Sequence, residues 1–249
     1  MVLLSSIVPW LLLRGQTALP DTHPLEHIKV VLVGDSTVAT QGGWGPGFCS
    51  HLLPEADCID LAVNGRSTKS FLDEGLWAKA LDIRAQFYFI QFGHNDQKDR
   101  PALHTDPEST FKTNLKRYIQ DIRRIGAEAV LITSLTRRNF KDGELMVDPL
   151  REYAAATREV AAEEHIPLID LYQLSRKLIE PMTQQEADRF NMLHHDDAKA
   201  EGATATTPDR THLNALGKQM FGDIVAEAVY MNVPALRPYF QVTPAREPR

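Results

Sequence analysis

Short apolar runs alternate with longer amphipathic stretches along this chain, a pattern typical of an α/β protein. The five runs of strand length are His27–Val33, Cys58–Ala62, Phe87–Phe92, Ala129–Thr133 and Pro167–Leu171. Because these runs are almost continuously apolar, they predict strands that are buried on both faces, as in a parallel sheet.

Amphipathic stretches between and after these runs predict helices. Apolar residues recur at three- and four-residue steps from Phe111 to Ile125, and Gly126 ends that stripe. Asp148 followed by Pro149 is a typical helix start, and a last helix begins near Asn214. The stretch from Asn191 to Thr207 is polar and poorly periodic, so we expect a loop there.

Length and composition indicate one domain. The 249 residues, of which 43% are hydrophobic, can bury one sizeable core, and the sequence has no internal repeat or interdomain linker. We predict a domain over residues 25–235 and an irregular, proline-rich tail over residues 236–249.

The net charge of −6 comes without any local cluster of Lys and Arg. We therefore expect neither a nucleic-acid partner nor a membrane partner, and a neutral or polysaccharide substrate is easier to accommodate. The oligomeric state stays open.

The first 20 residues carry an incomplete export signal. Residues 1–20 include an apolar run from Val2 to Leu13 without a preceding basic residue, so they are interpreted as a signal peptide or an N-terminal extension. We expect a secreted or periplasmic protein, with the cytoplasm as the alternative.

Cys49 and Cys58 can form a bridge, but we predict two buried free thiols.

The first predicted strand ends in Gly34-Asp35-Ser36, a turn that can lift a serine hydroxyl out of the sheet edge. A serine is a weak nucleophile unless a base and an orienting acid assist it. His212 and Asp209, three residues apart, can supply the base and the acid. These three residues are our candidate catalytic groups.

Two further motifs follow the next two predicted strands. Gly65 lies after the second strand and Asn95 after the third, and ligands of parallel sheets bind beyond the carboxyl ends of the strands. The backbone N–H groups of Ser36 and Gly65 and the side-chain amide of Asn95 can then form an oxyanion hole.

Each of these residues also has an ordinary structural interpretation. Ser36 can cap a helix, Gly65 can serve a turn, and Asn95 can satisfy loop backbone. His212 can be a surface histidine, and Asp209 can be a carboxylate that the helix dipole favours. Their joint occurrence after successive strands favours catalysis.

The motifs resemble the four ordered blocks of the SGNH (GDSL-type) hydrolase superfamily. The blocks are Gly34-Asp35-Ser36, Gly65, Gly93-His94-Asn95-Asp96 and Asp209-Arg210-Thr211-His212. Together with Gly43-Trp44-Gly45 and Gly65-Arg66-Ser67, they are similar to those of rhamnogalacturonan acetylesterases. The resemblance implies a flavodoxin-like αβα sandwich with a five-stranded parallel sheet, no cofactor, and the same roles for Ser36, Gly65, Asn95, Asp209 and His212.

Three more residues are candidates for substrate binding. Trp44 can stack on a sugar ring or pack in the core, and Arg66 can hold a galacturonate carboxylate or brace its loop. His94 can touch the substrate or shape its turn. His194 and His195, beside two aspartates, are interpreted as solvated loop residues rather than as metal ligands, and we predict no metal site.

We therefore expect a serine esterase that removes acetyl groups from an acetylated polysaccharide, most simply the pectic polymer rhamnogalacturonan. One alternative is an esterase of the same superfamily that acts on xylan, a sialic acid or a lipid ester. A second alternative is a catalytically silent carbohydrate-binding protein, because a fold does not fix a function.

Overall fold

The computed structural model describes residues 24–195 and 206–241. The expected signal peptide or extension over residues 1–20 lies outside the described residues, as does most of the predicted loop before Thr207.

The elements follow in the order that the sequence pattern suggests. The strands are β1 (Ile28–Gly34), β2 (Ala56–Asp60), β3 (Phe87–Gln91), β4 (Glu128–Ile132), β5 (Phe140–Lys141), β6 (Glu144–Leu145), β7 (Leu168–Ile169), β8 (Asn191–His195) and β9 (Thr206–Leu213). The helices are α1 (Gly45–Cys49), α2 (Thr68–Asp73), α3 (Leu76–Asp82), α4 (Thr110–Arg124), α5 (Leu150–Glu163), α6 (Leu171–Ile179), α7 (Gln184–Asp188) and α8 (Ala215–Asn232), and a 3₁₀ helix (Pro234–Tyr239) follows them.

The central sheet is parallel and has five strands in the order β2-β1-β3-β4-β7. This is the flavodoxin-like order, so the predicted fold class is confirmed. All five predicted strands are present with bounds shifted by a few residues, and the fifth is shortened to Leu168–Ile169.

Helices cover both faces of the sheet. Successive residues of β1 point to opposite sides and are apolar, so each face needs a helical layer to bury it. Val30 and Leu32 pack on one face in the cluster that contains Phe221 of α8. Val31 and Val33 pack on the other face in the cluster that contains Ile119 of α4. The result is the three-layer αβα sandwich.

The segment around the last motif differs from the prediction. Residues Asn191–His195 form β8, which pairs antiparallel with β9, so the start of the predicted loop is a strand. Asp209 and His212 lie within β9, and α8 begins directly after it with Asn214 as its N-cap. The two strands stand outside the central sheet, which explains why their sequences lack its apolar pattern.

The start of the predicted irregular tail is wrong. The 3₁₀ helix buries Leu236 and Tyr239, and Phe240 pairs with Leu52 across an isolated bridge. These apolar side chains complete the core beside α8, so residues 236–241 are packed. Residues 242–249 lie outside the described residues.

The prediction of two free thiols is also wrong, because Cys49 and Cys58 form a disulfide. The chain leaves α1 and returns through β2 within nine residues, which brings the two sulfurs together. In the part of the chain that the structure describes, no helix is long and apolar enough to cross a membrane.

Candidate active site

The turn after β1 holds Ser36 at the carboxyl edge of the sheet. Asp35 shapes this turn, because its Oδ1 accepts hydrogen bonds from the backbone N and the Oγ1 of Thr37 at 2.8 and 2.7 Å. Gly34 is required there, since a Cβ would lie 2.6 Å from the carbonyl oxygen of Gln91. Ser36 therefore lies between β1 and β3 at the carboxyl edge, where the strand order of the sheet reverses. This is the point at which this type of sheet binds ligands.

A buried chain of hydrogen bonds supports the same turn. Trp44 donates its Nε1 to Gln91 Oε1 at 2.8 Å, and Gln91 donates its Nε2 to Thr37 Oγ1 at 2.6 Å. Trp44 is only 1% exposed, so its indole cannot stack on a sugar ring. The predicted substrate-binding role of Trp44 is wrong, and its second interpretation, core packing, is the observed one.

Ser36, His212 and Asp209 form a continuous hydrogen-bonded chain. His212 Nε2 lies 2.7 Å from Ser36 Oγ, and His212 Nδ1 lies 2.5 Å from Asp209 Oδ2. Serine and histidine are 176 residues apart in the sequence. The structure thus brings together the three candidate catalytic residues in the order that nucleophilic catalysis requires.

Asp209 is held as a carboxylate. Burial raises the pKa of this carboxyl, but hydrogen bonds from His212 and from the backbone N–H of Thr211 lower it by more. The net pKa is therefore below its ordinary value. An ionised Asp209 keeps a proton on His212 Nδ1, which leaves Nε2 free to accept the proton of Ser36.

Two neighbours fix the position of His212. The backbone of Gly42 lies so close to the imidazole that a Cβ on residue 42 would be 3.1 Å from His212 Cδ2. Arg138 donates its Nη2 to the carbonyl oxygen of His212 at 3.0 Å, and its backbone N–H donates to the carbonyl oxygen of Arg210 at 3.0 Å. β9 is therefore anchored on both sides of the histidine.

Arg138 is fully buried, and the sequence analysis missed it. Burial lowers the pKa of its guanidinium to about 9, while the carboxylates of Asp209 and Asp188 act to raise it. It also donates its Nε to Asn191 Oδ1 and thus joins β8 to β9. An arginine that directly follows another arginine carries no sequence signal for burial, so only the structure identifies Arg138.

The candidate oxyanion donors lie on the loops after β2 and β3. Gly65 has a φ of +78°, a left-handed conformation that favours glycine, and a Cβ there would meet nothing within 4 Å. The backbone N–H groups of Ser36 and Gly65 donate no hydrogen bond within residues 24–195 and 206–241. They remain available to an oxyanion.

Asn95 is fixed by contacts on both ends of its amide. Its Nδ2 donates one hydrogen bond to the carbonyl oxygen of Arg66 at 3.0 Å, and its Oδ1 accepts one from Lys98 Nζ at 2.5 Å. The second N–H of the amide stays available for a ligand. Asn95 is only 3% exposed, which gives such a donor little water to compete with.

Asp96 joins the two loops that carry these donors. It accepts hydrogen bonds from Thr68 Oγ1 at 2.5 Å, from Thr105 Oγ1 at 2.8 Å and from the backbone N–H of Gly93 at 3.1 Å. Complete burial raises the pKa of its carboxyl to about 7, although these hydrogen bonds act to lower it.

Arg66 braces its loop. Its Nε and Nη2 donate to Glu74 Oε2 at 3.0 and 2.8 Å, and its Nη1 donates to the carbonyl oxygen of Asn64 at 3.0 Å. Because the guanidinium is already paired with a carboxylate, the structure supports the bracing interpretation over the predicted contact with a galacturonate.

His94 is buried beside the nucleophile turn. It is 4% exposed, and its Nδ1 lies 3.7 Å from Asp35 Oδ2. Burial, together with the nearby cation of Arg137, lowers the pKa of this imidazole well below its ordinary value. A neutral, enclosed histidine fits the structural interpretation rather than the predicted contact with substrate.

Nothing in the described residues indicates a metal site. Within residues 24–195 and 206–241, no group of three His, Cys, Asp or Glu side chains is arranged to hold an ion. The side chains of His194 and His195 and all of Asp196 and Asp197 lie outside the described part, so their predicted role as loop residues stays a prediction.

A hydrogen-bonded Ser–His–Asp chain at the carboxyl edge of a parallel sheet is the arrangement that serine hydrolases use. A family model of the GDSL-like lipase/acylhydrolase family matches residues 32–220. The chain belongs to this family and is a carboxylic ester hydrolase.

Two curated relatives come from Bacillus subtilis strain 168. A probable rhamnogalacturonan acetylesterase, YesY, is 34% identical over 209 residues, covering 80% of this chain and 91% of its own length. The rhamnogalacturonan acetylesterase RhgT is 34% identical over 212 residues, covering 81% of this chain and 89% of its own length.

A solved structure shares the fold. A mutant of Axe2, an acetylxylan esterase of Geobacillus stearothermophilus, aligns with a TM-score of 0.60 and covers 89% of this chain and 98% of its own. At 13% identity this likeness concerns the architecture alone.

Proposed function

We propose that this protein removes O-acetyl groups from rhamnogalacturonan through an acetyl-enzyme on Ser36. The observation that carries the proposal is the hydrogen-bonded chain from Ser36 Oγ through His212 to Asp209. The two relatives named as rhamnogalacturonan acetylesterases, each similar over four fifths of the chain, support the choice of substrate.

In the first half of the reaction, Ser36 Oγ attacks the carbonyl carbon of the acetyl ester while His212 Nε2 accepts the serine proton. The carbonyl oxygen becomes negative and takes hydrogen bonds from the N–H groups of Ser36 and Gly65 and from the amide of Asn95. The bond to the sugar oxygen then breaks, and the imidazolium returns its proton to that oxygen. The sugar alcohol leaves, and the acetyl group stays on Ser36.

In the second half, a water molecule gives a proton to His212 Nε2 and attacks the acetyl carbon of the acyl-enzyme. The same donors stabilise the second tetrahedral intermediate. Its collapse breaks the bond to Ser36 Oγ, which regains the proton, and acetate leaves. Asp209 stabilises the imidazolium in both halves.

The test is acetate release from acetylated rhamnogalacturonan, acetylated xylan and p-nitrophenyl acetate by wild type and Ser36→Ala. We expect release to be fastest from rhamnogalacturonan and to fall on the order of 10⁴- to 10⁶-fold in the variant. Ser109→Ala, an exposed serine at the start of α4, is the control that should retain activity.

Three results would contradict the proposal in different ways. Equal or faster release from xylan keeps the mechanism and replaces the substrate. Hydrolysis that survives in Ser36→Ala removes the mechanism itself, and failure of a fluorophosphonate probe to label wild-type Ser36 would favour a carbohydrate-binding protein.

We also propose that the protein is exported. The disulfide between Cys49 and Cys58 supports this location, because disulfides persist in oxidising compartments and are rare in the cytosol. Fractionation of cells that express the full chain tests it, and recovery of the protein only in the cytoplasm would exclude export.

A further inference from the structure

A groove with a volume of about 320 Å³ lies near the carboxyl ends of β1 and β2. It runs between the loop that follows β1 and the loop that follows β2. Residues of the first loop form one wall and residues of the second loop form the other. The lining consists of Ala39, Thr40 and Gln41 on one side and of Ala62, Val63 and Asn64, together with Asp60 at the end of β2, on the other.

Each wall continues directly into the active site. Gln41 precedes Gly42, the residue whose backbone packs against the His212 imidazole. Asn64 precedes Gly65, whose N–H is a candidate oxyanion donor. Since neighbouring Cα atoms are about 3.8 Å apart, each wall of the groove lies within one residue of a group at the active site.

The two amides at the groove are held as a pair. Asn64 Nδ2 donates to Gln41 Oε1 at 2.7 Å, and both residues are exposed. Within residues 24–195 and 206–241, Gln41 Nε2 and Asn64 Oδ1 have no hydrogen-bond partner. If both amides are flipped, Gln41 donates to Asn64 instead. In both arrangements one amide nitrogen and one amide oxygen are left over, a combination that adjacent sugar hydroxyls can satisfy.

The charged groups near the groove are already engaged. Asp60 accepts hydrogen bonds from Thr40 Oγ1 at 2.8 Å and from the backbone N–H of Ala62 at 3.0 Å. Lys218 donates its Nζ to the carbonyl oxygen of Thr40 at 2.8 Å, and Arg66 is paired with Glu74. Apart from the carboxylate of Asp60, the groove therefore offers a ligand uncharged amides and the small apolar side chains of its walls.

We infer that this groove binds an uncharged sugar unit next to the acetylated one. Gln41 and Asn64 hydrogen-bond its hydroxyls, and Ala39, Ala62 and Val63 contact its C–H or methyl groups. In rhamnogalacturonan the uncharged backbone unit is rhamnose, which carries a methyl group. This inference rests on the proposed function and extends it to a specificity site.

The test compares two kinds of ester in the variants Gln41→Ala and Asn64→Ala. An acetylated rhamnogalacturonan oligosaccharide fills the groove, whereas p-nitrophenyl acetate has no sugar to place there. For each variant we expect the ratio of kcat/KM on the oligosaccharide to kcat/KM on p-nitrophenyl acetate to fall about 5- to 10-fold, mainly through KM, as the loss of one hydrogen bond predicts. Gln120→Ala, an exposed amide on α4, is the matched control.

The outcomes separate this inference from the proposed function. If the ratio does not change, or if both esters lose the same factor, the groove is not a sugar subsite, even though wild type cleaves both substrates. If wild type releases acetate only from xylan, the proposed substrate is wrong, and the same ratio measured with acetylated xylo-oligosaccharides decides on the groove. Thermal unfolding of each variant checks that the fold is retained.

Discussion

Asp209 acts on His212 through both of its carboxylate oxygens. Oδ2 faces the ring Nδ1, and Oδ1 accepts the backbone N–H groups of Thr211 and His212 at 3.0 and 3.2 Å. The acid and the base are thus held in one rigid turn of β9. The carboxylate fixes the tautomer of the ring as well as its place.

Asp209→Asn should preserve this turn and remove most of the activity. An amide that donates to Nδ1 forces the imidazole into the tautomer whose Nε2 carries a proton, so His212 can no longer accept one from Ser36. We expect kcat on p-nitrophenyl acetate to fall by about 10⁴-fold, as in a serine protease with the same change.

Asp223→Asn is the matched control for this experiment. Asp223 makes a similar contact, 2.7 Å from His51 Nε2, on a surface unrelated to Ser36. We expect it to retain activity. Full activity of Asp209→Asn would show that His212 needs no orienting acid.

Sequence patterns identified the catalytic residues, whose motifs occur in a fixed order along the chain. They did not identify the roles of residues that depend on which side chains surround them. Ser36, Asp209 and His212 meet as predicted, Ser36 because it follows the end of β1, and the Asp–His pair because its spacing of three residues holds both groups together on β9. The side chains of Trp44 and Arg66 could also bind a sugar, but each is hydrogen-bonded within the protein, to Gln91 and to Glu74. No sequence pattern indicates either pairing.

At the scale of elements, Asp96 connects the start of α2 to the loops around β3. Its four donors come from Thr68, Thr105 and Gly93, and two of them belong to Thr68. This carboxyl group and the hydrogen bond from Asn95 Nδ2 to the carbonyl oxygen of Arg66 together connect the loops that carry Gly65 and Asn95.

Asp96 should give the protein a pH-dependent stability. Its pKa is about 7 in the folded state against an ordinary 3.8, because it is buried. Between these values the folded state keeps a proton that the unfolded state has released, so the contribution of Asp96 to the free energy of unfolding falls as pH rises, by about 1.4 kcal/mol per unit. Asp96→Asn cannot titrate, so its destabilising effect should be larger near pH 5 than near pH 7.5.

Urea unfolding of wild type and Asp96→Asn at the two pH values measures this difference. Asp73→Asn, an exposed carboxyl at the end of α2, should show no such dependence. A cost of Asp96→Asn that is the same at both pH values would mean that the carboxyl is ionised in the folded protein at pH 5 as well as at pH 7.5.

Elements were predictable where their pattern was long. The apolar runs of the central strands and the stripe of α4 stand out because burial on a sheet demands them. The short helices α1 and α7 have too few residues to show a period. The strands β8 and β9 lie outside the central sheet and lack its apolar pattern, and β9 carries polar residues that serve the site.

At the scale of the whole molecule, the disulfide ties α1 on one face to an edge strand. Cys49 and Cys58 are nine residues apart, and the closure of a loop of this length restricts the unfolded chain by about 3 kcal/mol. We expect Cys49→Ala with Cys58→Ala to lower the free energy of unfolding by roughly 2–3 kcal/mol.

Guanidinium unfolding with and without a reducing agent provides the control. Reduction should move the wild-type curve towards that of the double variant and leave the variant unchanged. A wild-type curve that ignores the reducing agent, together with two thiols that react with an alkylating agent in the native protein, would restore the free-thiol prediction.

The separation of 176 residues between Ser36 and His212 has a practical side. The exposed turn at Asp142 and Gly143, between β5 and β6, divides the chain into a piece with the nucleophile and the oxyanion donors and a piece with the base and its acid. Neither piece alone holds a complete set of reacting groups. We expect a chain opened at this turn to act as a two-part reporter, in which cleavage of a coloured ester signals that two fused partners have met.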